Sequence, residues 1–112
     1  MNDKACEILK RAKNLIEDKQ KWCQRTWAVD ENGRPVSPLG ESAVKWCSKG
    51  AIRREAALAA ATVSTEAYLY DAAHKLGYEG VAALNDLGGH SKAMEAFDVA
   101  IKAACKGGSG GE

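Results

Sequence analysis

The side chains best equipped for chemistry are four thiols (Cys6, Cys23, Cys47 and Cys105), two imidazoles (His74 and His90) and the polar pair Asn85-Asp86. Cys23, Cys47, His74 and His90 are zinc-type donors. No two cysteines form a CxxC pair and the four donors come from separate elements, so core packing is expected, with no metal and no other cofactor. Cys47 and His90 have the composition of a nucleophile and its base. Such a pair is defined by geometry, and the residues flanking Cys47 match no known nucleophile setting. The expectation is a buried thiol beside Trp46, because free cysteine behaves as a small hydrophobe. Asn85, Asp86 and His90 form the best polar cluster. They suit the wall of a small pocket or a partner contact. They equally suit a turn in which Asn85 or Asp86 bonds backbone and His90 leans on the start of the last helix, and the turn is favoured. Of Trp22, Trp27 and Trp46, Trp27 is expected to stay partly exposed. Trp27, Cys47, Asn85, Asp86 and His90 are therefore the candidate ligand or partner residues, and no residue is assigned a catalytic role.

These side chains need elements to hold them. Asp3 to about Lys19 reads as an amphipathic helix, with Ala5, Ile8, Leu9, Ala12, Leu15 and Ile16 on one face. Trp22–Val29 reads as extended chain. Asn32-Gly33 ahead of Arg34-Pro35-Val36 is a hairpin signal, which Pro35 limits to a small two-stranded ribbon. The stretch Ser42–Ile52 is expected to open a central second helix, running from Glu41 or Ser42 to about Ala60. Ala43, Cys47, Gly50, Ala51 and Leu58 would form its packed face. Gly in a helix costs roughly 1 kcal/mol against Ala, so Gly50 implies a packing reason, the close approach of another backbone. Thr62-Val63-Ser64 breaks the run, and a third helix spans Thr65–Leu76, stopping at Gly77. A short helical piece, Glu79–Leu84, leads into a turn over Asn85–His90. The last helix starts at His90 or Ser91 and runs to about Lys106 with Met94, Phe97, Ala100, Ile101 and Ala104 inward.

The fold expected is mainly α: a single-domain bundle over residues 1–106 with about four main helices and a small two-stranded β-ribbon between helices 1 and 2. Residues 107–112 read as a flexible Gly/Ser tail. Trp46, Leu9, Leu15, Ile16, Leu69, Leu76, Phe97 and Ile101 should share the core.

Other patterns carry less. Lys21-Trp22-Cys23 recurs as Lys45-Trp46-Cys47, either by coincidence or as two anchors of one core. Asp30 and Asn32 lack the later ligands of a calcium loop. Lys45, Lys49, Arg53 and Arg54 form a basic strip on the second helix, and with the third helix they suggest a helix-turn-helix. The third helix, however, offers no Arg or Gln to read bases, so a solvated face is expected rather than DNA binding.

Composition bounds the rest. A chain of 112 residues suits one domain, and its 46% hydrophobic share is rich in Ala, which predicts a thin core with close helix contacts. Sixteen basic against fifteen acidic residues leave a net charge of +1, unlike a dedicated nucleic-acid binder. No run approaches the roughly 18 apolar residues of a membrane span. Met1-Asn2-Asp3-Lys4 lacks signal-peptide grammar, so a cytoplasmic location and free thiols are expected.

The order of motifs resembles a family of small bacterial and phage-associated proteins that carries only a "domain of unknown function" label. The motifs are Trp22-Cys23-Gln24; Ala28-Val29-Asp30-Glu31-Asn32-Gly33-Arg34-Pro35-Val36; Ala43-Val44-Lys45-Trp46-Cys47-Ser48-Lys49-Gly50-Ala51; Leu84-Asn85-Asp86; Gly89-His90; and Phe97–Ile101. The resemblance spans roughly residues 5 to 104 and departs at the Ala-rich middle, Glu55–Val63. It implies no activity, substrate or catalytic residue. Size, balanced charge and this resemblance lead to an expected role as a small non-enzymatic protein-interaction module, a bacterial or phage accessory protein with another protein as its partner. The alternatives are a small-ligand or enzymatic site near Cys47, Asn85, Asp86 and His90, and helix-turn-helix-like DNA binding.

Overall fold

The first helix, α1 (Asp3–Ile16), follows its apolar spacing: Ala5, Ile8, Leu9, Ala12 and Ile16 are each at most 4% exposed. A computed structural model gives the fold and describes residues 3–59 and 64–108. The helix stops short of Lys19. Asp18, in extended conformation, accepts the Gln20 amide at 2.9 Å and starts a separate 3-10 turn over Lys19–Lys21.

A two-stranded antiparallel sheet then joins β1 (Ala28–Val29) to β2 (Lys45–Trp46), with Ala28 opposite Trp46 and Val29 opposite Lys45. The Asn32-Gly33 turn forms as well. Gly33 takes φ +81°, and the Asp30 carboxylate accepts the amides of Asn32 and Arg34, both at 2.9 Å. The returning chain bridges Val29 to Pro35 and donates the Val36 amide to the Ala28 carbonyl at 3.0 Å. Strand β1 thus lies between the hairpin's return arm and β2.

The second main helix is α2 (Ser48–Leu58), and its expected start at Glu41 or Ser42 is corrected by β2. The reason is nonlocal pairing. Val29 O accepts the Val44 amide, Trp27 O accepts the Cys47 amide and Trp46 O accepts the Cys23 amide, so this stretch is extended. Cys47 becomes the N-cap, its sulfur accepting the Gly50 amide at 3.3 Å. Gly50 has the packing role expected of it: a Cβ there would run into the Trp27 carbonyl group, 2.9 Å from its carbon. The repeated Trp-Cys dipeptides are paired anchors, since Trp22 and Trp46 form a parallel bridge.

Helix α3 (Ser64–Lys75) buries Leu69, Ala72 and Ala73, and left-handed Gly77 (φ +94°) closes it. The expected break at Thr62-Val63 lies outside the described residues. One short turn of helix, α4 (Val81–Ala83), runs into a wide π-helical turn over Leu84–Gly88. The turn expected at Asn85–His90 is therefore helical, and the chain changes direction only at Gly89 (φ +83°). Helix α5 (Gly89–Gly108) completes the fold. Gly107 and Gly108 of the expected tail belong to it, and residues 109–112 lie outside the described part.

The core sits where α5 packs against α1 and α3, and α1 against α2. Ala93, Ala96, Ala100 and Ala104 let α5 approach closely, and Phe97 fills the centre. Of the expected core, Leu9, Ile16, Trp46, Leu69 and Phe97 are buried, whereas Leu15, Leu76 and Ile101 are half-buried at its margin. The expectation of four free thiols is corrected. Cys6 of α1 and Cys105 of α5 form a disulfide, their Cα atoms 4.9 Å apart, because the two helices lie side by side. Cys23 and Cys47 are free.

Candidate functional site

Asn85 organises the polar centre. The π-helical turn points its side chain inward, leaving it 1% exposed. Its Oδ1 accepts from Trp22 Nε1 at 2.8 Å, from the Ser48 amide at 2.9 Å and from Ser48 Oγ at 2.7 Å. Its Nδ2 donates to the Cys23 carbonyl at 3.0 Å and to Asp86 Oδ1 at 3.2 Å. One carboxamide thus pins the Trp22-Cys23 segment to the first turn of α2, satisfying a helix amide that has no partner inside α2. Gln24 Nε2 returns the contact, donating to the backbone carbonyls of Asn85 and Asp86 at 3.2 and 3.0 Å. Apart from the bond between them, the side chains of Asn85 and Asp86 bond distant segments rather than the backbone of their own turn.

Asp86 Oδ1 accepts the Arg25 amide at 2.9 Å. Arg25 is the one non-glycine residue with positive φ, at 70°, among the described residues. That left-handed backbone is uncommon for a residue with a Cβ and here is held by the carboxylate. His90 faces the other way. Its Nε2 donates to the Ile16 carbonyl at 2.8 Å, capping the end of α1, and its ring lies edge-on to Trp22 with centroids 5.3 Å apart. His90, in the first turn of α5, therefore supports the last turn of α1.

Four of the five candidate residues meet. Trp27, Cys47, Asn85 and Asp86 line a partly open cleft of about 130 Å³, joined there by Arg25 and Lys49. His90 does not line it. Trp27 is 41% exposed, Trp22 is half-buried, and Trp46 is buried with Nε1 donating to the Pro38 carbonyl at 3.1 Å. Burial pushes the Cys47 thiol above its ordinary value, against the lowering effect of the Gly50 and Lys49 amides. Burial, followed by the neighbouring Cys47, raises Cys23 to about 12. Both sulfurs are thiols at neutral pH. His74 lies against Tyr70, ring centroids 4.4 Å apart. Among the described residues no three His, Cys, Asp or Glu side chains are placed to hold a metal ion.

The basic strip divides. The Arg53 guanidinium lies 4.4 Å from the Trp27 ring centroid, and that of Arg54 lies 5.0 Å from the Trp46 centroid. Lys45 is an exposed strand residue rather than a helical one. Sequence reasoning missed Gln24, Arg25 and Ser48 as site residues. Gln24 and Ser48 stood inside quoted motifs, whereas nothing in the sequence marked Arg25 for a left-handed backbone.

Residues 1–103 match the family model described as "Family of unknown function (DUF6197)", and the chain belongs to that family. No curated protein and no solved structure matches the chain.

Proposed function

We propose that this member of DUF6197 is a small non-enzymatic binding module that engages another protein through the cleft at Trp27. The observation that carries the reading is the exposed indole of Trp27 at the rim of a cleft whose wall is fixed by the Asn85 hub. A rigid aromatic anchor beside a preformed hollow is the usual centre of a protein contact. The volume of about 130 Å³ accommodates one side chain. An enzymatic reading would need Cys47 ionised with His90 beside it. Burial favours the neutral thiol, and the His90 nitrogen is bonded to Ile16. The stacking of Arg53 and Arg54 on indoles favours a protein partner over DNA.

The setting we favour is bacterial or phage-associated, on the motif resemblance. No helix among the described residues is long and apolar enough to cross a membrane. The Cys6–Cys105 disulfide weighs against the expected cytoplasmic location, since cytosolic thiols keep such bonds reduced. The test is quantitative capture from bacterial lysate with the tagged chain and its Trp27→Ala variant. A partner held by the first and lost by the second is expected; identical captures would overturn the proposal.

A further inference from the structure

The fold seats the two free thiols, Cys23 and Cys47, on neighbouring extended segments. Trp22 and Trp46 form a parallel bridge, and the Cys23 amide donates to the Trp46 carbonyl at 3.1 Å. Trp22 and Cys47 are both extended. Each cysteine stands one residue past the bridge, so the two share a face of the ladder, at the strand spacing of about 4.8 Å. Two sulfurs on opposite sides of one metal ion, with bonds of roughly 2.3 Å, stand about 4.6 Å apart. Asn85 holds this register, donating to the Cys23 carbonyl at 3.0 Å and accepting the Ser48 amide at 2.9 Å. Cys47 also lines the cleft, which gives an ion a way in.

Burial keeps both sulfurs protonated, and at Cys23 the neighbouring Cys47 adds to it. Against burial, the Gly50 and Lys49 amides favour a Cys47 thiolate, and Lys45 favours one at Cys23. Asp86 opposes both, with Oδ1 accepting from the Arg25 amide and Asn85 Nδ2. A bound metal cation displaces such protons outright. The donor set then selects the metal. Zinc takes three or four protein ligands and iron–sulfur clusters take four. Among the described residues no third His, Cys, Asp or Glu joins the pair. Two soft thiolates suit copper(I).

We propose that Cys23 and Cys47 form a two-coordinate site for copper(I), reached through the Trp27 cleft. Binding releases both thiol protons to solvent and leaves the copper in its +1 state. The resulting dithiolate complex carries a single negative charge beside Lys45 and the first amides of α2. The site goes beyond protein binding and needs no partner to form.

The test is anaerobic titration of the chain, its Cys6–Cys105 bond confirmed by mass, against the coloured bicinchoninate complex of copper(I). One copper per chain should leave the dye, and that transfer should be lost in Cys23→Ser and in Cys47→Ser. Both variants suit the fold. Serine is a preferred N-cap at position 47, and a hydroxyl at 23 can donate to the Thr26 carbonyl as the thiol does at 3.6 Å. X-ray absorption of the loaded, unmodified chain needs no variant, and it should show two sulfur neighbours around the copper. No transfer to the unmodified chain, undiminished transfer to either folded serine variant, or nitrogen and oxygen neighbours in the spectrum would overturn the proposal. Displacement of the copper by equimolar zinc would do so too.

Discussion

Truncating Asn85 to Ala would leave the Trp22 indole N–H, the Ser48 hydroxyl and amide, and the Cys23 carbonyl without their shared partner. A buried polar group left unpaired costs about 1–3 kcal/mol, and several share this one, so a loss of about 3 kcal/mol or more is expected in urea unfolding. A loss under about 1 kcal/mol would mean water replaces the carboxamide. The thiols give a second residue-scale prediction. The folded chain holds the Cys23 proton more tightly than an ordinary thiol of pKa 9.0 does. That contribution to stability is complete below pH 9.0 and is lost as the pH rises towards about 12. The urea midpoint should fall across that window and fall less in Cys23→Ala. In the native protein at neutral pH, iodoacetamide should label Cys23 and Cys47 slowly, and in urea quickly, as read by mass. Trp27, Cys47, Asn85 and Asp86 were legible as candidates because their types are suited to contacts. That Asn85 serves as a hub was not, because its partners stand 37 to 63 residues away.

The Gly50→Ala substitution sets two effects against each other within one element. Helix propensity favours Ala by roughly 1 kcal/mol. Against that, the added Cβ collides with the Trp27 carbonyl, which belongs to backbone held by the Cys47 amide. Overpacking costs typically about 1–3 kcal/mol, so net destabilisation of up to about 2 kcal/mol is expected, measured by thermal or urea unfolding. A more stable variant would show that the segment before β1 can yield. The same neighbourhood explains why some elements were readable and one was displaced. Helices α1, α3 and α5 announce themselves because their apolar residues recur at the helical period and nothing competes for their backbone. Lys45 and Trp46 fit a helical wheel equally well, but Ala28 and Val29 claim them as a strand. Helix α2 can then begin only after Cys47 has supplied its cap. Periodicity within a window cannot reveal a partner that lies outside it.

At the scale of the whole molecule, the Cys6–Cys105 bond spans 99 residues of sequence. Closing so long a loop removes about 4–5 kcal/mol of unfolded-state entropy in the chain-entropy account. Adding reductant, or substituting Cys6→Ser, should lower the urea-derived stability by an amount of that order. The loss should be smaller if the unfolded chain keeps structure of its own. An even cysteine count carried no information about this pairing, which depends on α1 and α5 lying side by side. The bond has a consequence for handling the protein. The Asn32-Gly33 turn is exposed and lies within the loop that the disulfide closes between Cys6 and Cys105. A protease nick there would release no fragment, so the cut would escape notice on a non-reducing gel and show itself only once the sulfurs were separated.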